Sequence, residues 1–183
     1  APEDSLYQID DIAVPYLYHR IGQMTVIPPS EISDVEFSSG GFGAEYGNST
    51  GGVVVIRTKK DIPERPMTKF TLNLPIYSGV YHERPLSEDS GMAVGMRRSY
   101  LELILPKVMP KDAGVTLVPF FVDYQGNWTH KTESGSQKLT LLASTDGIKA
   151  TAPSDFSNDD SGNVNFFVKT YYGVIAFEHL QKL

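Results

Sequence analysis

Phe37-Ser38-Ser39-Gly40-Gly41-Phe42-Gly43-Ala44-Glu45-Tyr46-Gly47-Asn48-Ser49-Thr50-Gly51-Gly52-Val53-Val54-Val55-Ile56-Arg57-Thr58-Lys59 changes character twice within one short span. Glycine at this density is entropically costly, so it marks places where the backbone turns or packs closely. The β-branched run that follows has no polar residue on either parity. It therefore predicts a strand over 50–58 that is buried on both faces, inside a small globule. The run ends abruptly at Arg57-Thr58-Lys59-Lys60, where the polar residues return.

Upstream of this stretch, short apolar runs predict strands over 6–9, 12–14 and 32–37. Pro15 and Pro28-Pro29 interrupt them. Ser30 after the two prolines is placed to cap one short helical turn. Downstream, from about Pro66, the pattern becomes alternation. Phe70, Leu72, Leu74 and Ile76 share one parity, and Lys69, Thr71 and Asn73 the other. Val118, Phe120, Val122, Tyr124 and Trp128 oppose Asp123, Gln125, Asn127 and Thr129. The pattern repeats over 137–145 with Leu139, Leu141 and Ala143. A long aromatic strand is expected over 163–178, with a bend at Gly173. Helical periodicity is scarce, so the chain reads as mainly β. Its organisation divides into 1–60, a linker at 61–65, and 66–183.

Alternation has two physical readings. A soluble antiparallel sandwich turns its apolar face inward and its polar face to water. A barrel wall in a membrane does the reverse, with the apolar face toward lipid. Periodicity alone does not separate them. The length of the alternating runs favours the wall, since soluble strands average about 5–6 residues.

The bulk numbers set outer bounds. A chain of 183 residues has room for a real core. Its 40% hydrophobic and 21% charged residues are near average and indicate neither disorder nor a helical membrane protein. The net charge of −6 argues against a nucleic-acid partner, because phosphate binding needs a basic surface. There is no cysteine, which removes disulfides, thiolate metal sites and thiol nucleophiles together. Ala1-Pro2-Glu3 lacks the basic start and apolar core of a signal peptide.

Chemical motifs fail in turn. Gly41-Phe42-Gly43-Ala44-Glu45-Tyr46-Gly47 is one residue off the dinucleotide fingerprint, and a valine strand follows where a helix should start. Asp155, Asn158, Asp159 and Asp160 form an acidic loop without calcium-loop spacing, which reads as a solvated turn. His19, His82, His130 and His179 make no ligand-like pair, and no serine sits in a nucleophile elbow. Neighbouring carboxylates such as Asp10-Asp11 and Glu88-Asp89 would point to opposite faces of a strand. No catalytic, metal or cofactor site is expected, and no covalent chemistry.

One family carries this order of features. Gln8-Ile9-Asp10-Asp11-Ile12-Ala13-Val14-Pro15, then Glu31-Ile32-Ser33-Asp34-Val35-Glu36, then the glycine stretch, resembles the plug domain of TonB-dependent outer-membrane receptors. Gly40, Ala44, Tyr46, Gly47, Gly51 and Gly52 match that family's turn, with Gly41 and Gly43 inside it. Met96-Arg97-Arg98-Ser99-Tyr100 and Phe121-Val122-Asp123-Tyr124-Gln125 resemble early barrel strands of one subgroup. Two departures stand out: the family's Asp-Gly turn is Asp10-Asp11 here, and neither an Arg-Gly motif nor a TonB box is present.

The resemblance implies the C-terminal part of a plug in 1–60 and the first antiparallel transmembrane strands of an incomplete barrel in 66–183. About five wall strands are legible, whereas the family's barrels have about 22 and the smallest closed barrels about 8. It implies a bacterial outer-membrane location and energised uptake of a scarce nutrient. The implied partners are the remainder of the barrel or another chain completing it, the TonB energy-transducing complex, outer-membrane lipid, and a small-molecule or oligosaccharide ligand. Val118, Phe120, Val122, Tyr124 and Trp128 would face lipid. Arg57, Arg97, Arg98 and Glu102 are candidates for plug–barrel contacts, against a reading in which Arg97 and Arg98 snorkel or face a water-filled lumen. Segments 81–90 and 150–162 are candidate ligand-contact loops. The alternatives are a non-transporting structural or adhesive β-domain of a larger cell-surface assembly, and a complete small barrel.

Overall fold

The computed structural model describes residues 5–19, 24–47, 49–109, 116–153 and 163–181. The molecule is mainly β and divides into two units, Ala1–Ile62 and Pro63–Leu183.

The first unit holds a four-stranded sheet in the order β2-β1-β4-β3, made of β1 (Ser5–Ile9), β2 (Ile12–Val14), β3 (Ile32–Ser38) and β4 (Gly52–Thr58). β4 is central, parallel to β1 and antiparallel to β3. Its position explains its composition: Val53, Val55 and Ile56 are buried with Ile9, Val14, Leu17, Val26 and Ile27 in the core. The residues after Pro28-Pro29 form a turn closed by the Glu31 N–H on the Pro28 carbonyl (2.9 Å), not the helical turn that Ser30 suggested.

Asp10 and Asp11 form a two-residue hairpin turn, and both adopt left-handed backbone (φ 48° and 64°). That is the geometry in which hairpins favour Asp or Asn with Gly, and it is kept here without the glycine. The two carboxylates separate as adjacent residues must. Asp11 is exposed, whereas Asp10 is buried and accepts from the Thr58 N–H (2.8 Å) and the Thr58 hydroxyl (2.5 Å). The Lys59 N–H donates to the carbonyl of buried Glu31 at 2.9 Å. The end of β4 is thus held from two sides. Asp10→Ala is expected to lower the stability of this unit by about 1–3 kcal/mol, because it orphans buried donors and puts a β-carbon side chain with no local hydrogen bond at positive φ. Urea unfolding of Asp10→Ala beside Asp10→Asn measures it; Asn keeps the turn and one acceptor and should lose less.

The second unit is a six-stranded antiparallel meander in the order β10-β9-β8-β7-β6-β5. The strands are β5 (Met67–Asn73), β6 (Tyr77–Ser87), β7 (Ser90–Ser99), β8 (Thr116–Thr132), β9 (Gly135–Pro153) and β10 (Asn163–Gln181). Six strands replace the five expected. β6 was hidden by Pro85 and by His82-Glu83-Arg84. Pro85 sits at a register shift near the strand end, where the ladder tolerates a missing N–H. Segment 81–90 is therefore strand except for its turn, and 150–153 is strand as well. Leu74 and Ile76 lie in the turn after β5, not in the strand, with the Ile76 N–H on the Asn73 carbonyl at 2.8 Å. β10 pairs with β9 through Gly173 without a break in register, so no bulge interrupts the strand there. The helix α1 (Leu101–Val108) was not expected; Pro106 inside it masks its pattern, and it packs against β8. The acidic loop 155–160 lies outside the described residues.

Connections in this unit are asymmetric. Glu88-Asp89 and Glu133-Ser134 are two-residue turns at one end of the sheet. The other end carries the turn 74–76 and the connections 100–115 and 154–162. β5 starts at the end with the two-residue turns, since Met67 pairs with Glu83.

Candidate functional site

The glycine stretch joins β3 to β4. Gly40 and Gly41 are exposed and Gly41 has φ +69°, a conformation open to glycine. Ala44–Tyr46 is one 3₁₀ turn, closed by the Tyr46 N–H on the Gly43 carbonyl (3.1 Å), with Phe42 and Tyr46 edge to face at 6.4 Å. Gly52 starts β4, where an added β-carbon would lie 3.1 Å from the Ser38 carbonyl oxygen. Ser49 donates to the Gly52 carbonyl at 2.6 Å. No group of His and acidic residues able to hold a metal ion forms around this loop among the described residues. Its geometry delivers β4 into the core.

The six-stranded sheet has two chemically distinct faces, and register defines them. One row runs Gly79, Arg97, Asp123, Ser144, and the next Tyr81, Gly95, Gln125, Leu142. Further rows on this face pair Thr129 with Lys138 and Lys138 with Glu178. The face is polar and yet buried. Arg97, Asp123, Gln125, Thr129, Lys138, Thr140, Ser144 and Asp146 are all sequestered from water, Asp123 at 0% exposure. Arg97 Nη2 donates to Asp123 Oδ2 at 2.7 Å, and Ser144 Oγ donates to Asp123 Oδ1 at 2.9 Å. The guanidinium lies 5.9 Å from the Phe121 ring centroid, and the Phe121 N–H donates to Ser99 Oγ at 2.8 Å. Each ion of a pair so placed depends on the other, since either one alone would be buried uncompensated.

The opposite face is apolar and exposed. Its rows include Val80, Met96, Tyr124, Ala143, Gly173 and His82, Val94, Gly126, Leu141, Ile175. Phe70, Leu72, Tyr171 and Phe177 continue it, and Ile175 is 78% exposed. Of the five residues expected on this face, Tyr124 is exposed, Phe120, Val122 and Trp128 are half-buried, and Val118 is buried at 3%. Phe120 stacks on Phe167 (5.7 Å, 7°) and lies over Gly147, where a β-carbon would come within 2.0 Å of its ring. Trp128 stacks on His130 at 5.8 Å. In water this arrangement is upside down: contiguous exposed apolar surface of this breadth marks a surface made for another medium or partner.

The four residues considered for plug–barrel contacts do not form one group. Arg97 sits on the polar face with Asp123. Arg98 has the opposite parity and donates to Glu102 at 2.6 Å, tying β7 to α1. Arg57 forms ion pairs with Asp11 (3.6 Å) and Glu36 (3.9 Å) on the rim of the small sheet. Asp123 is the partner that sequence reasoning placed on the polar parity without pairing it; the spacing between residues 97 and 123 becomes contact only through the β7–β8 register. No group of His and acidic residues able to hold a metal ion occurs among the described residues, and no helix among them is long and apolar enough to cross a membrane. No family model, curated protein or solved structure matches the chain.

Proposed function

We propose that the chain is the end of a plug domain and the first wall strands of a TonB-dependent outer-membrane receptor, which takes up a scarce nutrient using force from the inner membrane. The observation that carries this reading is the reversed burial of the six-stranded meander, polar face covered and apolar face bare. A soluble sandwich would have the opposite polarity. Three further features agree with a wall. Two-residue turns gather at one end and longer connections at the other, as outer-membrane barrels have them. The chain enters β5 at the short-turn end, the periplasmic side in that arrangement. Aromatic residues flank the apolar band, with Trp128 and Phe177 toward one end and Phe120, Phe167 and Tyr171 toward the other. Among the described residues β5 and β10 are edges that do not pair with each other. An open wall of this kind needs further strands, from the same polypeptide or another, to satisfy its edge backbone in lipid. In the uptake cycle the plug would switch between two packings under ligand and pulling force.

No cysteine occurs in these 183 residues, so a thiol introduced here is the only one in this stretch, and any cysteine elsewhere in the complete polypeptide is first replaced by serine. Ile175→Cys in the complete polypeptide, held in its membrane, should resist a water-soluble maleimide and react once the protein is unfolded. Rapid labelling in the intact membrane would sink the wall reading and favour a surface β-domain with no transport role.

A further inference from the structure

The apolar face is not uniform: it carries a groove and, nearer one end, two lysines. A groove of about 540 Å³ crosses it, with Gly126, Ala143 and Gly173 as floor and Tyr124, Leu141 and Ile175 as walls. The two glycines are not required by their surroundings. A β-carbon on Gly126 would meet Leu141 at 3.6 Å, and one on Gly173 would meet the Leu142 carbonyl oxygen at 3.6 Å, both ordinary contacts. Small residues at these positions therefore leave space rather than permit close packing. Toward the end with the long connections, the same face carries two exposed lysines on adjacent rows, Lys149 opposite Phe167 and Lys169 opposite Gly147. Lys169 Nζ lies 4.9 Å from the Phe167 ring centroid and 5.7 Å from that of Phe120. The ammonium itself thus lies over two aromatic rings, whose faces attract a cation.

Lys169 precedes Gly173 by four residues on β10, about 13 Å at ~3.3 Å per residue. Lys149 follows Ala143 by six residues on β9, about 20 Å on the same rise. Half of a hydrocarbon core is about 15 Å. From this coincidence of charge, groove and spacing we propose that Lys149, Lys169 and the glycine-floored groove form one site for a phosphate-bearing lipid. Its headgroup phosphate sits on the two ammonium groups, and one acyl chain passes exposed Tyr171, which lies between Lys169 and Gly173 on the same face, to end in the groove at Gly173, Ala143 and Gly126. The inference rests on the wall reading above. It adds that the wall selects an anionic lipid at a defined place rather than contacting lipid in general.

The test uses the complete receptor polypeptide purified in neutral detergent, with lipid adducts counted by native mass spectrometry. Phosphatidylglycerol should be retained over phosphatidylcholine, and Lys149→Gln with Lys169→Gln should reduce that preference by about fivefold for each lysine removed. Gly173→Leu fills the groove at a position with room for a side chain. It should lower retention of both lipids, whereas the lysine pair changes only the preference between them. Equal retention of the two lipids, a preference indifferent to the lysines, or displacement of phosphatidylglycerol by inorganic phosphate alone would overturn the site while leaving the wall intact. Recovery of the polypeptide in the soluble fraction, without detergent, removes the wall and the site together.

Discussion

Asp123→Ala is expected to cost about 3–5 kcal/mol, because it leaves the Arg97 guanidinium buried without its carboxylate. Asp123 is fully sequestered and accepts from both Arg97 (2.7 Å) and Ser144 (2.9 Å), so three strands lose a shared acceptor at once. The phenyl ring of Phe121 beside the guanidinium cannot replace it. A double-mutant cycle with Arg97→Met isolates the pair. Removing both charges should recover much of the loss, since the penalty comes from the uncompensated ion rather than from the absence of the bridge. Denaturant midpoints of the four proteins measure the coupling; additive losses would mean that Arg97 and Asp123 do not act as a unit.

The second large effect is Ile175→Arg. Ile175 is the most exposed large aliphatic of β10, and its row continues through Leu141, Gly126 and Val94. The rows on either side hold Ala143, Tyr124 and Met96, and Leu139, Trp128 and Met92. In water, an arginine at so open a position should change stability by no more than about 0.5 kcal/mol. In a bilayer, with apolar rows above and below, it should cost roughly 2–4 kcal/mol. Urea unfolding of the complete polypeptide from lipid vesicles reads the difference. A near-neutral result would show that this face meets water. Thr140→Arg on the opposite face makes a poor control because Thr140 is buried; Lys131→Arg, exposed, already cationic and near the two-residue turn 133–134, is the suitable one and should be silent.

Much of the architecture was legible along the chain. The β-branched run ending at Thr58 announced a two-faced strand, and β4 is central in its sheet with Val53, Val55 and Ile56 in the core. The alternation of Phe120, Val122, Tyr124 and Trp128 with Asp123, Gln125 and Thr129 announced a strand with unlike faces, and β8 has them. What escaped was local pattern broken for tertiary reasons. β6 carries Pro85 at a register shift, and its charged residues fall on both parities, so neither composition nor period marked it. Helix α1 is short, contains Pro106, and is anchored by the Arg98–Glu102 bridge rather than by amphipathic repetition. Asp10-Asp11 lacks the glycine of the expected turn, yet the buried Thr58 donors and the tolerance of aspartate for left-handed backbone hold it.

A period of two residues states that the faces of a strand differ, and nothing in it states which face is covered. That decision came from the tertiary structure, which buried Arg97, Asp123, Lys138 and Asp146 and left Phe70, Tyr171, Ile175 and Phe177 bare. It came from there for a physical reason. Burial of a polar residue depends on partners brought by register from distant strands, as residue 97 meets 123 and 123 meets 144, and these distances along the chain leave no local trace. The glycine stretch and the change of pattern after Lys60 were matters of backbone freedom and side-chain branching, which are properties of neighbouring residues, and so were readable in order. The polarity of the six-stranded sheet and the two-residue turns at one end are properties of the assembled sheet, and only its pairing produced them.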